Sequence, residues 1–115
     1  MAEGFYSLNG TKIPHDAEGY IKDITSWSED LAAVIARSEG IELTPAHWQL
    51  IHLVRSYYDE FAIAPDIRIL VKYMRKQLGR EKGSKEYLSG LFPGPASPAA
   101  RLCKIAGLPK PTGCI

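Results

Sequence analysis

The chain has 115 residues, which makes one domain with a core large enough to stand alone, and its 45% hydrophobic content is ordinary for a soluble globular protein. The longest apolar run, residues 31–36, is far too short to span a membrane, and no basic segment followed by an apolar one opens the chain, so neither membrane insertion nor a signal peptide is expected. The net charge of +1 hides an asymmetry: residues 1–60 carry four Lys/Arg and ten Asp/Glu, a balance of −6, and residues 61–115 carry ten and three, a balance of +7. Such a chain pairs its own halves or presents a basic surface to an acidic partner.

In chain order, residues 5–8, Asn9-Gly10 and residues 11–13 predict a small β-hairpin on a type I′ turn. A lone hairpin is marginal, so it must pack on helices. Glu18-Gly19-Tyr20 is a second turn. A helix is expected over 29–38, capped by Ser26 or Ser28 and stopped at Gly40, with Leu31, Val34 and Ile35 buried. Thr44 and Pro45 start the next helix, which runs to about Phe61. Its apolar residues, Trp48, Leu50, Ile51, Leu53, Val54, Tyr57, Tyr58 and Phe61, cover more than half the circumference and imply a central helix packed on several sides. Pro65 opens a helix near 66–78, with Ile67, Leu70, Val71, Met74 and Leu78 facing the core. Ser84 caps a short helix through Leu91, and Ser97-Pro98 starts a last one that ends at about Ala106 before Gly107. The expected architecture is mostly α, a compact helical bundle with an N-terminal hairpin. Residues 1–106 form the domain and residues 107–115 a flexible C-terminal arm.

The arm region holds both cysteines, Cys103 and Cys114, with ten residues between them and Cys114 penultimate. Gly107, Pro109, Pro111 and Gly113 break up everything after Ala106, because proline lacks an N–H and glycine resists being fixed. From Cys103 to Cys114 the chain reaches roughly 36–40 Å if fully extended. One reading is a structural disulfide, worth roughly 3 kcal/mol for a loop this short. The favoured one is a redox-active or sulfur-carrying arm, since a reducing cytoplasm is the expected compartment and a penultimate cysteine is a poor staple. Arg101 and Lys104 flank Cys103, and Lys110 lies four residues before Cys114. Positive charge favours the thiolate, while the C-terminal carboxylate next to Cys114 opposes it. With so little to bury, deleting residues 108–115 is expected to leave the melting temperature almost unchanged.

The ending C-K-I-A-G-L-P-K-P-T-G-C-I resembles the C-terminal arm of the DsrC family, the gamma subunit of dissimilatory sulfite reductase, to which the TusE sulfur-relay proteins are closely related. The likeness extends through L-N-G at 8–10, E-G-Y at 18–20, W-S-E-D-L-A at 27–32, I-E-L-T-P-A-H-W at 41–48, A-P-D-I-R at 64–68, E-K-G-S-K-E-Y-L at 81–88 and L-F-P at 91–93. The segment between Phe92 and Cys103 looks about two residues longer than the family's usual pattern. The resemblance implies a sulfur carrier rather than a stand-alone enzyme. By position Cys114 matches the thiol that enters the siroheme channel of the sulfite reductase alpha and beta subunits and accepts sulfur. Cys103 matches the resolving thiol, which forms a trisulfide or disulfide that a membrane-bound reductase reduces. TusE-type relatives keep only the penultimate cysteine, take sulfur from persulfide-donating relay proteins and pass it toward tRNA thiolation. The siroheme and iron-sulfur cluster would belong to the partner, and no cofactor is expected on this chain.

Two helices joined by Ala62-Ile63-Ala64-Pro65 also resemble a helix-turn-helix, and Arg68, Lys72, Arg75 and Lys76 make a basic stripe on the second. Near-neutral overall charge and the lack of Asn or Gln on that stripe favour protein docking over DNA reading. His15, His47 and His52 have no ligand spacing, and with no Cys-x-x-Cys a zinc site is not expected. G-R-E-K-G-S-K at 79–85 has the wrong spacing for a phosphate loop.

Overall fold

A computed structural model describes residues 4–94 and 96–111 of the chain. Asn9 (φ 51°) and Gly10 (φ 83°) hold the positive dihedrals of the expected type I′ turn. They join β1 (Gly4–Leu8) to β2 (Thr11–His15) in an antiparallel ribbon with Tyr6 opposite Ile13. Tyr6 is buried against the helices, and its hydroxyl donates to the Gly19 carbonyl. Phe5, on the other face, is 52% exposed. Burial first, and then the charge of Glu39, hold the Tyr6 phenol above its ordinary pKa. A raised folded-state pKa means stability that is full below about pH 10, the unfolded value, and is lost as pH rises through the folded value. Thermal melts across that alkaline range should fall more steeply for the parent than for Tyr6→Phe, which cannot ionise.

A short 3₁₀ turn (Ile24–Ser26), not foreseen in the sequence, is held by Asp23, whose carboxylate accepts from the Thr25 N–H at 3.0 Å and from its hydroxyl at 2.6 Å. The five helices begin where their caps are written. The Ser28 hydroxyl accepts from Leu31 N–H at 3.1 Å and starts α1 (Glu29–Ser38), which Gly40 (φ 74°) closes as Ile41 N–H donates to the Ala36 carbonyl. At the start of α2 (Pro45–Phe61), His47 takes the place of the usual Glu or Gln of a capping box. Its Nδ1 accepts from Thr44 N–H at 3.0 Å, so Nε2 carries the proton and donates to the Leu91 carbonyl at 2.7 Å. Asp66 caps α3 (Ile67–Leu78), Ser84 caps α4 (Lys85–Leu91) and Ser97 caps α5 (Pro98–Ile105).

The central helix is α5, not α2. It packs against all four others, and Ala99, Leu102, Cys103 and Ile105 are all 0% exposed. Small residues at 99 and 100 let neighbours approach it closely, whereas α2 buries Leu50, Ile51 and Val54 against α5 and α3 and its last turn outruns the core. Phe61, expected in the buried stripe, is 48% exposed. Val34, Trp48, Tyr58, Ile67, Val71 and Leu78 are half-buried. Burial also continues past the expected domain boundary at 106: Leu108 is 2% exposed and Pro111 is buried. The sequence-based reason for a stability-neutral arm therefore fails at Leu108. Gly113 and Cys114 lie outside the described residues. No helix among the described residues is long and apolar enough to cross a membrane.

Candidate functional site

Cys103 lies in the last turn of α5, wholly buried. That turn closes on itself: Gly107 N–H donates to the Lys104 carbonyl at 3.1 Å and Leu108 N–H to the Cys103 carbonyl at 2.9 Å. The next two carbonyls have no partner within the helix, and distant side chains supply them. Trp27 Nε1 donates to Ile105 O at 2.9 Å, and Arg55 Nη1 donates to Ala106 O at 2.6 Å. The Arg55 guanidinium stands 3.9 Å from the centre of the Trp27 ring. Desolvation in this position lowers the Arg55 pKa, with Asp59 opposing the shift. Gly107 completes the clamp. Its φ is 75°, and a Cβ there would fall 2.3 Å from Trp27 Cδ1, so only glycine fits.

The two cations expected beside Cys103 are tied down. Glu39, at the C-cap of α1, takes both: Arg101 Nε lies 3.2 Å from Oε1 and Lys104 Nζ 3.2 Å from Oε2. The Arg101 contact is ionic rather than an aligned hydrogen bond, and its Nη1 donates to the Pro93 carbonyl. Side-chain exposures of 14–18% leave this cluster little screened by solvent, and it staples α1 to α5. Glu39 offsets one of the two positive charges, and the other is left to act near the thiol.

Past the clamp the chain lies between the 16–24 loop and the α2–α3 turn. Tyr20, Ile21, Ile24 and Tyr58 line a groove of about 330 Å³ on one side of Pro109 and Lys110. Ala62, Ile63 and Ala64 line one of about 180 Å³ on the other. Lys110 Nζ pairs with Glu18 Oε2 at 2.7 Å, with both side chains about half exposed. On α3 the four basic residues Arg68, Lys72, Arg75 and Lys76 are all exposed. Arg75 nevertheless has a structural role: its Nε donates to the Gly83 carbonyl at 3.2 Å, and a Cβ at Gly83 would fall 2.3 Å from the Arg75 Cα. Among the described residues no group of three His, Cys, Asp or Glu side chains could hold a metal ion.

The DsrC like protein family model matches residues 7–115, nearly the whole chain and the entire C-terminal region just described. The chain belongs to the DsrC-like family. Sulfurtransferase TusE of Escherichia coli K12 is 52% identical over 108 residues, covering 94% of this chain and 97% of that protein. The solution structure of Allochromatium vinosum DsrC superposes with a TM-score of 0.87 at 42% identity, covering 98% and 99% of the two chains. The oxidized gamma-subunit of the dissimilatory sulfite reductase (DsrC) from Archaeoglobus fulgidus gives 0.78 at 38% identity, covering 96% and 99%.

In this DsrC-like chain, sequence reasoning singled out the arm but missed what holds its root: Trp27, Glu39 and Arg55. Trp27 is half-buried with its ring N–H in use. Arg55 carried a readable signal, since it interrupts the apolar row Ile51–Arg55–Tyr58 along α2, and a charge placed in such a row needs a partner.

Proposed function

We propose that this DsrC-like protein is a sulfur carrier whose two thiols act in sequence, with Cys114 accepting sulfur and Cys103 resolving it. The Cys114 thiolate attacks the outer sulfur of a donor persulfide. The donor leaves as a thiolate and Cys114 holds the persulfide. The Cys103 thiolate then attacks the Cys114 sulfur bonded to carbon, hydrosulfide leaves, and a Cys103–Cys114 disulfide remains. Two electrons and two protons from a dithiol, or from a membrane-bound thiol/disulfide reductase, restore both thiols. The partners are the alpha and beta subunits of a dissimilatory sulfite reductase, whose siroheme and iron-sulfur cluster are theirs alone, or a protein persulfide donor. Pro109, Pro111 and Gly113 let the part of the 107–115 arm beyond the clamped Gly107 bring Cys114 to them.

The observation that carries this reading is that the family match runs through residue 115, so both cysteines lie inside the region shared with proteins named for sulfur transfer and sulfite reductase. Cys103 is wholly buried, and a thiol so covered is inert, so resolving requires the cover over the last turn of α5 to open as Cys114 is presented. The 52% identity to sulfurtransferase TusE favours a second reading, in which Cys114 hands its sulfur to another protein without Cys103. Persulfide loading followed by mass spectrometry of the digested variants tests both. Cys114→Ser should take up no sulfur at the chain end, and Cys103→Ser should accumulate a stable adduct on Cys114. Preferential loading on Cys103 would overturn the division of roles. Onward transfer at an undiminished rate in Cys103→Ser would select the relay reading.

A further inference from the structure

Among the described residues four large hydrophobic side chains are strongly exposed, and three of them belong to the end of α2, the α2–α3 turn and the start of α3: Phe61 at 48% and Ile69 at 42%, which line one groove, and Ile63 at 57% in the turn between them. Isolated exposed apolar residues are ordinary, but a cluster of them is not. The corner is where the last turn of α2 outruns the core and α3 begins. Between the two helices lies a groove of about 480 Å³. Its floor is an aromatic stack, with Tyr57 and Phe61 centroids 4.5 Å apart and Tyr57 edge-on to Tyr73 at 5.1 Å. Such a floor is rigid and already formed, so little ordering is needed to bind there.

The rim is basic. Lys72 and Lys76 line the groove, and no carboxylate among the described residues lies within ion-pair distance of either. Arg68 and Lys72 line a second hollow on the far side of Ile69. The corner is also continuous with the arm's bed, because Ile63 borders the groove that holds Pro109 and Lys110.

We infer that this α2–α3 corner is a protein-docking site, and that its occupant is a partner surface carrying apolar side chains ringed by carboxylates. Phe61, Ile63 and Ile69 are the apolar anchors, and Lys72 and Lys76 set orientation and association rate. The inference rests on the sulfur-carrier reading, in that a partner seated here is placed beside the exit of the arm.

The probe is a synthetic helical peptide with leucines along one face and glutamates flanking them. Its controls are a scrambled peptide of the same composition, a version with glutamine for glutamate, and a short DNA duplex. Binding to the full-length protein is followed by fluorescence anisotropy, with amide chemical shifts to locate it. The amphipathic acidic peptide should shift amides of α2's last turn and of α3. It should bind about tenfold more tightly than either peptide control, and about tenfold less tightly to Phe61→Ser or to Lys72→Glu/Lys76→Glu. Lys72 and Lys76 are exposed, so their charge variant should keep the parent melting temperature; Phe61→Ser gives up the pair with Tyr57 and should melt slightly lower while the amide shifts away from the corner stay those of the parent. Equal binding of the scrambled peptide would overturn the inference. So would duplex binding that depends on the lysines but not on Phe61, or a self-association seen by sedimentation that the same substitutions abolish. Loading of Cys114 from a small-molecule persulfide should be unchanged in every variant, so failure of the docking site and failure of the sulfur chemistry would be told apart.

Discussion

Gly107→Ala should cost about 3 kcal/mol and lower the melting temperature by roughly 10 °C or more. Two separate causes add. At φ 75° an L-residue is strained by about 1–2 kcal/mol. The new Cβ would also fall 2.3 Å from Trp27 Cδ1, so the indole must move and release the Ile105 carbonyl it serves. A hydrogen bond lost there is worth about another 1 kcal/mol, and the Arg55 guanidinium stacked on the same ring is disturbed with it. Gly40 separates the causes. Its φ is 74°, but a Cβ there meets nothing within 4 Å. Gly40→Ala should therefore show the strain alone, about 1–2 kcal/mol. Urea unfolding of the two variants isolates the crowding term. Equal losses would mean that Trp27 does not hold the root of the arm in the way described.

Leu108→Ala should destabilise the protein by about 2–4 kcal/mol, and deletion of residues 108–115 by at least as much. Leu108 is 2% exposed within the core cluster, so truncation both returns apolar surface to water and leaves a void. Its backbone N–H also holds the Cys103 carbonyl, so the deletion loosens the last turn of α5. The polar contact of the same segment should matter far less. The Lys110–Glu18 pair is about half exposed on both sides, and Glu18→Gln should change stability by less than about 1 kcal/mol. Thermal melts followed by circular dichroism are sufficient. A deletion variant with the parent melting temperature would show that Leu108 contributes nothing as core.

The starts of the helices were legible because a cap is local chemistry. Thr44-Pro45, Ser28, Ser84 and Ser97-Pro98 each satisfy N–H groups within three residues of themselves, and all four open a helix where expected. The hairpin was legible for the same reason, through Asn9-Gly10. The centrality of α5 was not. Eight residues with two alanines read as a minor element, and their burial depends on four helices arriving from elsewhere. The candidate site divides in the same way. Both cysteines and the Pro/Gly pattern stand in the sequence. The clamp does not, because Trp27 reaches across 78 positions to Ile105, Lys104 across 65 to Glu39, and Arg55 across 51 to Ala106. Leu108 was misjudged because its Pro/Gly neighbours say how the backbone runs, and nothing about whether a surface waits beneath it.

Fixing the root of the arm also sets a leash. With residues 105–107 held by Trp27 and Arg55, the free length begins after Gly107 rather than at Cys103. Seven residues, 108 to 114, extend at most about 23–25 Å even when every one of them lifts away. A thiol on so short a leash explores a small sphere, and within it meets a partner's sulfur at an effective concentration in the millimolar range. Outside it the concentration is zero. Donors are thus sorted by depth before any chemistry begins: one whose sulfur lies farther than about 25 Å from the anchored glycine is out of reach however reactive it is.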